Sequence, residues 1–147
     1  MQLSLPPLDA FNKVIPHDHE GIENKDFIIR RIPEHWIVVD PKINGRRVSS
    51  LAYRASSGLN AGMSIDLVAQ ILCDGLDPRI EVTTPHWIGS LIANVGAIRE
   101  LNLMVGFEPI VNINPQHGEI WGNFTSSTQK KFKGLCSWFV PIEGVSI

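Results

Sequence analysis

The stretch Phe27-Ile28-Ile29-Arg30-Arg31-Ile32-Pro33-Glu34-His35-Trp36-Ile37-Val38-Val39-Asp40 sets two runs rich in β-branched residues on either side of a proline. Each run reads as a short strand, and Pro33, which has no N–H to give a ladder, divides them. The Asn44-Gly45 pair marks a tight turn after the second run. Beyond it, Arg47 to Arg54 reads as a continuing strand with small polar residues along part of it.

Working outward, Ser64 has the character of a helix N-cap and Asp66 that of a first-turn acid. Ile65, Leu67, Val68, Ile71 and Leu72 follow at helical spacing and Gly75 supplies a stop, so the spacing predicts a helix over 64–75. Arg79 to Thr83 alternates like a short strand, whereas Trp87 to Ala93 fits strand or helix equally. Gly96 to Asn102 reads as helix, Leu103 to Phe107 and Glu119 to Phe124 as strands, and Ser127 to Phe139 as a closing helix. Upstream, residues 1–25 read as an extended arm, because Pro6, Pro7 and Pro16 exclude a long helix. Its leucines and Phe11 call for packing along the body or against a second copy. The expectation is a single α+β domain over 26–147, with a mostly antiparallel or mixed sheet of about five to seven strands and about three helices.

Composition supports this. With 147 residues, 44% hydrophobic and 19% charged, the chain is long enough to bury a core without disulfides or metals. A formal net charge of -2 argues against a global nucleic-acid or anionic-membrane footprint. Neither the N-terminus nor any apolar run has the pattern of a signal peptide or a membrane span, so the expected location is cytoplasmic. Cys73 and Cys136 share no close-spaced motif and read as buried thiols. The four tryptophans are dispersed, as core and interface residues are, and Lys130, Lys131 and Lys133 read as a solvated helix face.

Three constellations can carry chemistry. Gly45-Arg46-Arg47-Val48-Ser49-Ser50, extended by Arg54-Ala55-Ser56-Ser57-Gly58, combines guanidinium donors with hydroxyls and suits a phosphate or carboxylate. His117 and Glu119 sit two apart beside glycines, so on a strand both face one side, and they are the candidate proton-transfer pair. His17, His19 and Glu20 could share a metal, although their spacing fits no established zinc signature.

The order of an arginine (Arg30 or Arg31), a serine-rich strand (Val48-Ser49-Ser50) and a later glutamate (Glu119) resembles the Arg-Ser-Glu class of ADP-ribosyltransferase-like domains. The resemblance implies NAD as substrate, with the arginine on its phosphates, the serines shaping the nicotinamide pocket and Glu119 stabilising an oxocarbenium-like transition state. Val48 departs from the class's Ser-Thr-Ser, and His117 occupies the polar position two before the glutamate.

Three functional classes follow. One is a small enzyme acting on a nucleotide or other phosphorylated substrate through Arg30, Arg31, Arg46, Arg47, Ser49, Ser50, Arg54, His117 and Glu119. Another is a non-catalytic interaction module that self-associates through its arm. The third is a histidine-based, metal-dependent hydrolase. The residues name no cofactor, and the enzyme class has the larger concentration of Arg, Ser, His and Glu beside glycines.

Overall fold

The computed structural model describes residues 2–147; Met1, part of the expected arm, lies outside them. Strand β1 (Phe27–Pro33) and β2 (Ile37–Asp40) form as their β-branched runs require, with a single 3-10 turn over Glu34–Trp36 between them. Strand β3 (Gly45–Val48) returns antiparallel to β2 through the turn at Asn44, whose φ of 48° is left-handed. The strand expected to run on to Arg54 stops at Val48. Ser49 accepts a hydrogen bond from the Leu51 N–H and so caps a 3-10 turn over Ser50–Tyr53.

The helix expected from Ser64 is a strand over most of that start. Met63–Leu67 forms β4, and α1 (Val68–Cys73) begins only afterwards. Met63, Ile65 and Leu67 alternate with Ser64 and Asp66, a period of two, and β4 has strand partners on both sides. Gly75 does end the helix, at φ +74°. A second difference lies at Arg79–Thr83, where α2 (Pro78–Val82) replaces the expected strand. Asp77 caps it by accepting from the Arg79 N–H and Pro78 stands at its first turn, and this start signal outweighs a brief alternation.

Strand β5 (Trp87–Asn94), α3 (Val95–Arg99), β6 (Met104–Phe107) and β7 (His117–Trp121) follow. The closing helix is shorter than its apolar spacing implies: α4 (Ser126–Leu135) gives way to β8 (Ser137–Val140), and β9 (Val145–Ser146) ends the chain's ordered elements. The six-stranded sheet has the order β6-β7-β4-β1-β5-β8 with every neighbour antiparallel, and β2-β3-β9 make a small second sheet. The chain is thus α+β, with open sheets.

Both faces of the large sheet are covered. Ile28, Ile32, Met63, Ile65, Leu91 and Ile120 face the main core, which Ile98, Phe132 and Val48 complete from the helices and the small sheet. On the opposite face, Ile29 meets Ile71 and Val82 of α1 and α2 in a separate cluster. The N-terminal arm covers the far end of that face. His19 N–H donates to the Val105 carbonyl, and the His17 ring lies 5.2 Å from that of Trp121. Gly106 permits this approach, since a Cβ there would stand 2.7 Å from the His17 carbonyl oxygen and 2.4 Å from Trp121. Part of the arm lies against the body as expected, while Leu5 and Phe11 stay exposed. Neither cysteine forms a disulfide; Cys136 is half-buried, and Cys73 is exposed rather than buried because it sits on the outer side of α1.

Candidate functional site

Two central strands of the large sheet, β1 and β4, pair over a short length. β1 and β5 pair along the whole of β1, with one irregularity at Ile32/Pro33, whereas β1 and β4 pair only at Ile28–Leu67 and Ile29–Asp66. Past that point the ladder is replaced by a side chain: Arg30 Nη1 donates to the Ser64 carbonyl at 2.8 Å. The sheet opens there into a cleft of about 320 Å³ lined by Arg30, Arg31, Trp36, Ser56, Ser64, Ile65, Asp66, Trp87, Asn114 and His117. A shallower hollow of about 470 Å³ adjoins it, sharing Arg30, Trp36 and Ser56 and adding Arg54 and Ser57. Each falls within the roughly 300–1,000 Å³ typical of small-molecule sites.

Arg30 is 6% exposed. Its Nε donates to the Ala52 carbonyl at 3.0 Å, and its guanidinium stacks 4.7 Å from the Trp36 ring. The guanidinium lines the cleft, and none of its nitrogens is a fully buried atom left without a partner. Burial lowers its pKa to about 10, an effect opposed by the charge of Glu119, and the side chain stays cationic at neutral pH.

Arg31 points to the other face, the one that carries Ser64, Asp66, His117 and Glu119, and is spoken for. Its Nε and Nη2 donate to the two oxygens of Asp66 at 2.7 and 2.8 Å, and Asn114 Nδ2 donates to the same carboxylate at 2.9 Å. This fork-on-carboxylate pair braces β1 against β4 where their ladder has ended.

Glu119 stands directly across from Ser64 in the β4–β7 register, and Ser64 Oγ donates to its Oε1 at 3.4 Å. The side chain is buried, and Oε2 meets no N–H or hydroxyl donor among the described residues, leaving the Glu108 carboxyl as its neighbour. Its pKa is pushed up to about 8, first by burial and then by the charge of Glu108 and a hydrogen bond between the two carboxyls; Arg30 and Ser64 oppose the rise. His117, two residues earlier on the same face, places Nδ1 2.9 Å from the Glu108 backbone carbonyl and 3.7 Å from its Oε1. Glu108, His117 and Glu119 each bring one ligand-type atom within 4.8 Å of the others.

Of the expected residues the structure therefore brings Arg30, Arg31 and His117 to the cleft, with Glu119 beside His117 on the same strand and Arg54 at the rim. It leaves the others elsewhere. Arg46 is an exposed side chain on β3 that donates to the Glu143 carbonyl, and Arg47 is paired with Asp40 at 2.8 Å. Ser49 is the cap of the 3-10 turn, and Ser50 opens on a separate hollow with Lys42, Lys130 and Lys133. The two arm histidines are engaged by backbone. His17 Nδ1–H donates to the Ile15 carbonyl and Nε2 accepts from the Phe107 N–H. His19 Nε2–H donates to the Ser4 carbonyl and Nδ1 accepts from the Gly21 N–H. Neither keeps a lone pair for a metal. Burial pushes the Cys136 thiol up to about 12, the nearby Arg30 charge opposing, which disfavours its thiolate form.

Sequence reasoning missed Ser64, Asp66, Asn114 and Glu108. The apolar-polar alternation of Met63-Ser64-Ile65-Asp66-Leu67 was the available signal for the first two, and a helix-start reading of the same residues obscured it. No family model, no curated protein and no solved structure significantly matches this chain.

Proposed function

We propose that the chain is an enzyme that cleaves the bond between nicotinamide and ribose in NAD and transfers the ADP-ribosyl group. The observation that carries this is the line Arg30–Ser64–Glu119 across three neighbouring strands, in which Arg30 meets the Ser64 backbone carbonyl through the gap between β1 and β4 and Ser64 Oγ meets Glu119 on the opposite face. It supports the Arg-Ser-Glu resemblance with one substitution of parts: Ser64 on β4 stands in the serine's place, while Ser49 and Ser50 cap and flank a turn.

In this reading Arg30 Nη2, with Arg54 and Ser56 nearby, meets the phosphates. Trp36 and Trp87 offer flat apolar walls to the ring systems. Ser64 holds Glu119 in one orientation, and the carboxylate stabilises the positive charge that grows on the ribose as the bond to nicotinamide breaks. The bond's electron pair leaves with nicotinamide, which departs neutral. The acceptor's nucleophilic oxygen bonds to the anomeric carbon, and its proton passes to His117. The raised pKa of Glu119 does not oppose this, because the cationic nicotinamide ring beside it favours the ionised form.

The test is release of nicotinamide from NAD, followed chromatographically, in the wild-type protein and in Glu119→Gln. The expectation is turnover that falls on the order of a hundredfold or more in the variant. Absence of both nicotinamide release and any thermal shift with millimolar NAD would remove the proposal.

One observation favours a second reading, the interaction module. Leu5, Phe11, Leu59, Val111 and Ile113 are all more than three-quarters exposed, and apolar side chains of this size left in water are a feature of surfaces that meet a partner. Light scattering on the purified chain tests self-association through the arm, with Leu5→Ser/Phe11→Ser expected to return any dimer to monomer.

A further inference from the structure

We propose that Glu108, His117 and Glu119 form a binding site for a divalent transition-metal cation, with Zn²⁺ as the reference ion. Two independent features support it. The first is the donor set: one imidazole and two carboxylates carried by β7 and the segment that follows β6, each with a ligand-type atom within 4.8 Å of the others. The second is the state of Glu119, which is 9% exposed, lies against both other residues, and has a buried Oε2 that no N–H or hydroxyl meets and that faces another carboxyl. A buried carboxyl oxygen that meets only another carboxyl is costly unless a proton or a cation lies between them.

The surroundings suit ligation. His117 Nδ1–H donates to the Glu108 carbonyl and lies 3.7 Å from the Glu108 carboxylate, which fixes the ring; the Nε2 lone pair is then the ligand, and Glu108 has to swing toward it. Glu119 Oε1 is held by Ser64, which fixes the second ligand and leaves Oε2 for the ion. Glu108 follows β6 and its side chain is 30% exposed, so it can rotate. Ligands on Zn²⁺ bonds of about 2.1 Å lie roughly 3.4 Å apart, and a turn of the Glu108 side chain supplies most of that contraction. Nitrogen and oxygen donors without thiolate favour Zn²⁺, Mn²⁺ or Fe²⁺ over softer ions. Three protein ligands would leave a position open to water or to a substrate oxygen.

The site is distinct from the arm histidines, whose nitrogens are already used. It also goes beyond NAD chemistry. Where it touches that reading, and resting on it, a bound cation would occupy Glu119 and so inhibit nicotinamide release.

The experiment is calorimetric titration of Zn²⁺ into chelator-stripped full-length protein, with Co²⁺ visible spectra as a second readout. The variants are Glu108→Ala and His117→Asn, with Cys73→Ser, His35→Ala and His86→Ala as controls on exposed donors. Expected are one ion per chain, affinity lowered at least tenfold in Glu108→Ala and in His117→Asn, a Co²⁺ spectrum altered by His117→Asn, and unchanged binding in the controls. If His117→Asn fails to fold, the half-buried Glu108→Ala carries the test. Binding lost in a control and kept in Glu108→Ala would overturn the proposal. So would the absence of binding at millimolar Zn²⁺, which would leave a proton shared between Glu108 and Glu119 as the occupant. NAD binding is followed separately by thermal shift in chelator, so either reading can fail alone.

Discussion

Replacing Glu119 with glutamine should stabilise the protein at alkaline pH and leave it unchanged at acid pH. An unfolded glutamate ionises near 4.5, while Glu119 in the fold ionises near 8, chiefly because it is buried. Between those values the native state holds a proton that the unfolded state has lost. Stability therefore falls as pH rises through this window, by about 1.4 kcal/mol per unit at most. The whole effect is present below the window as no penalty and above it as a penalty of about 3–5 kcal/mol, a large share of a typical domain's stability. The glutamine side chain keeps the shape and cannot ionise, so its contribution stays flat. The assay is urea unfolding of both proteins at intervals from pH 4.5 to 9 with chelator present, followed by tryptophan fluorescence. Titrations common to both, such as Asp40, cancel in the difference; hydrogen bonds from the Lys42 N–H and the Arg47 side chain hold its pKa low in each. Parallel curves over the entire range would refute the burial argument. Glu108→Gln provides an internal check, since removing that neighbouring charge should narrow the window.

Arg30→Ala should cost roughly 3 kcal/mol or more in urea unfolding, because two carbonyls lose charged donors and the Trp36 ring loses its stacking partner. Asp66→Ala leaves the Arg31 guanidinium facing an empty site on the second face of the sheet, and should cost about 3–5 kcal/mol by the same measurement. Arg46→Ala, at an exposed side chain, should change stability by less than about 0.5 kcal/mol and leave nicotinamide release untouched. Gly106→Ala should lower stability by about 1–3 kcal/mol and speed proteolysis of the arm, as its Cβ would collide with His17 and Trp121.

The fold class was legible because it depends on local signals that agree. The β-branched runs of β1 and β2, the Asn44 turn and the Gly75 stop all form where their residues require. Misreadings arose where one segment carries two signals. Ser64 and Asp66 have the chemistry of a helix start, yet they lie on a strand with partners on both sides, and pairing across the sheet overrides a local preference. The site was half legible for the same reason. Arg30, His117 and Glu119 declare themselves by type and by neighbours in sequence. Glu108 and Asn114 acquire meaning only from the fold, which carries Glu108 to the flank of Glu119 and Asn114 to Asp66. The Arg46–Ser50 segment shows the converse, since its composition suits an anion but Asp40 and a turn consume its donors.

The arrangement of charge argues that the opening between β1 and β4 serves function rather than stability. A central pair of strands gains most by completing its ladder and packing apolar side chains on both faces. Here the ladder ends after two residues, and the next positions hold Arg30 and Arg31 on one strand and Ser64 and Asp66 near them on the other. Arg31 and Asp66 satisfy one another and brace the gap. Arg30 and Glu119 do not pair with one another, since Arg30 donates to the Ala52 and Ser64 carbonyls and Glu119 meets Ser64 Oγ and the Glu108 carboxyl. A buried cation at the opening and a buried carboxyl that keeps its proton through neutral pH on the next strand but one are costly to maintain in an empty fold. In the reading proposed above, a ligand that brings an anion to Arg30 and a cation to Glu119, as NAD would with its phosphates and nicotinamide ring, offsets that cost.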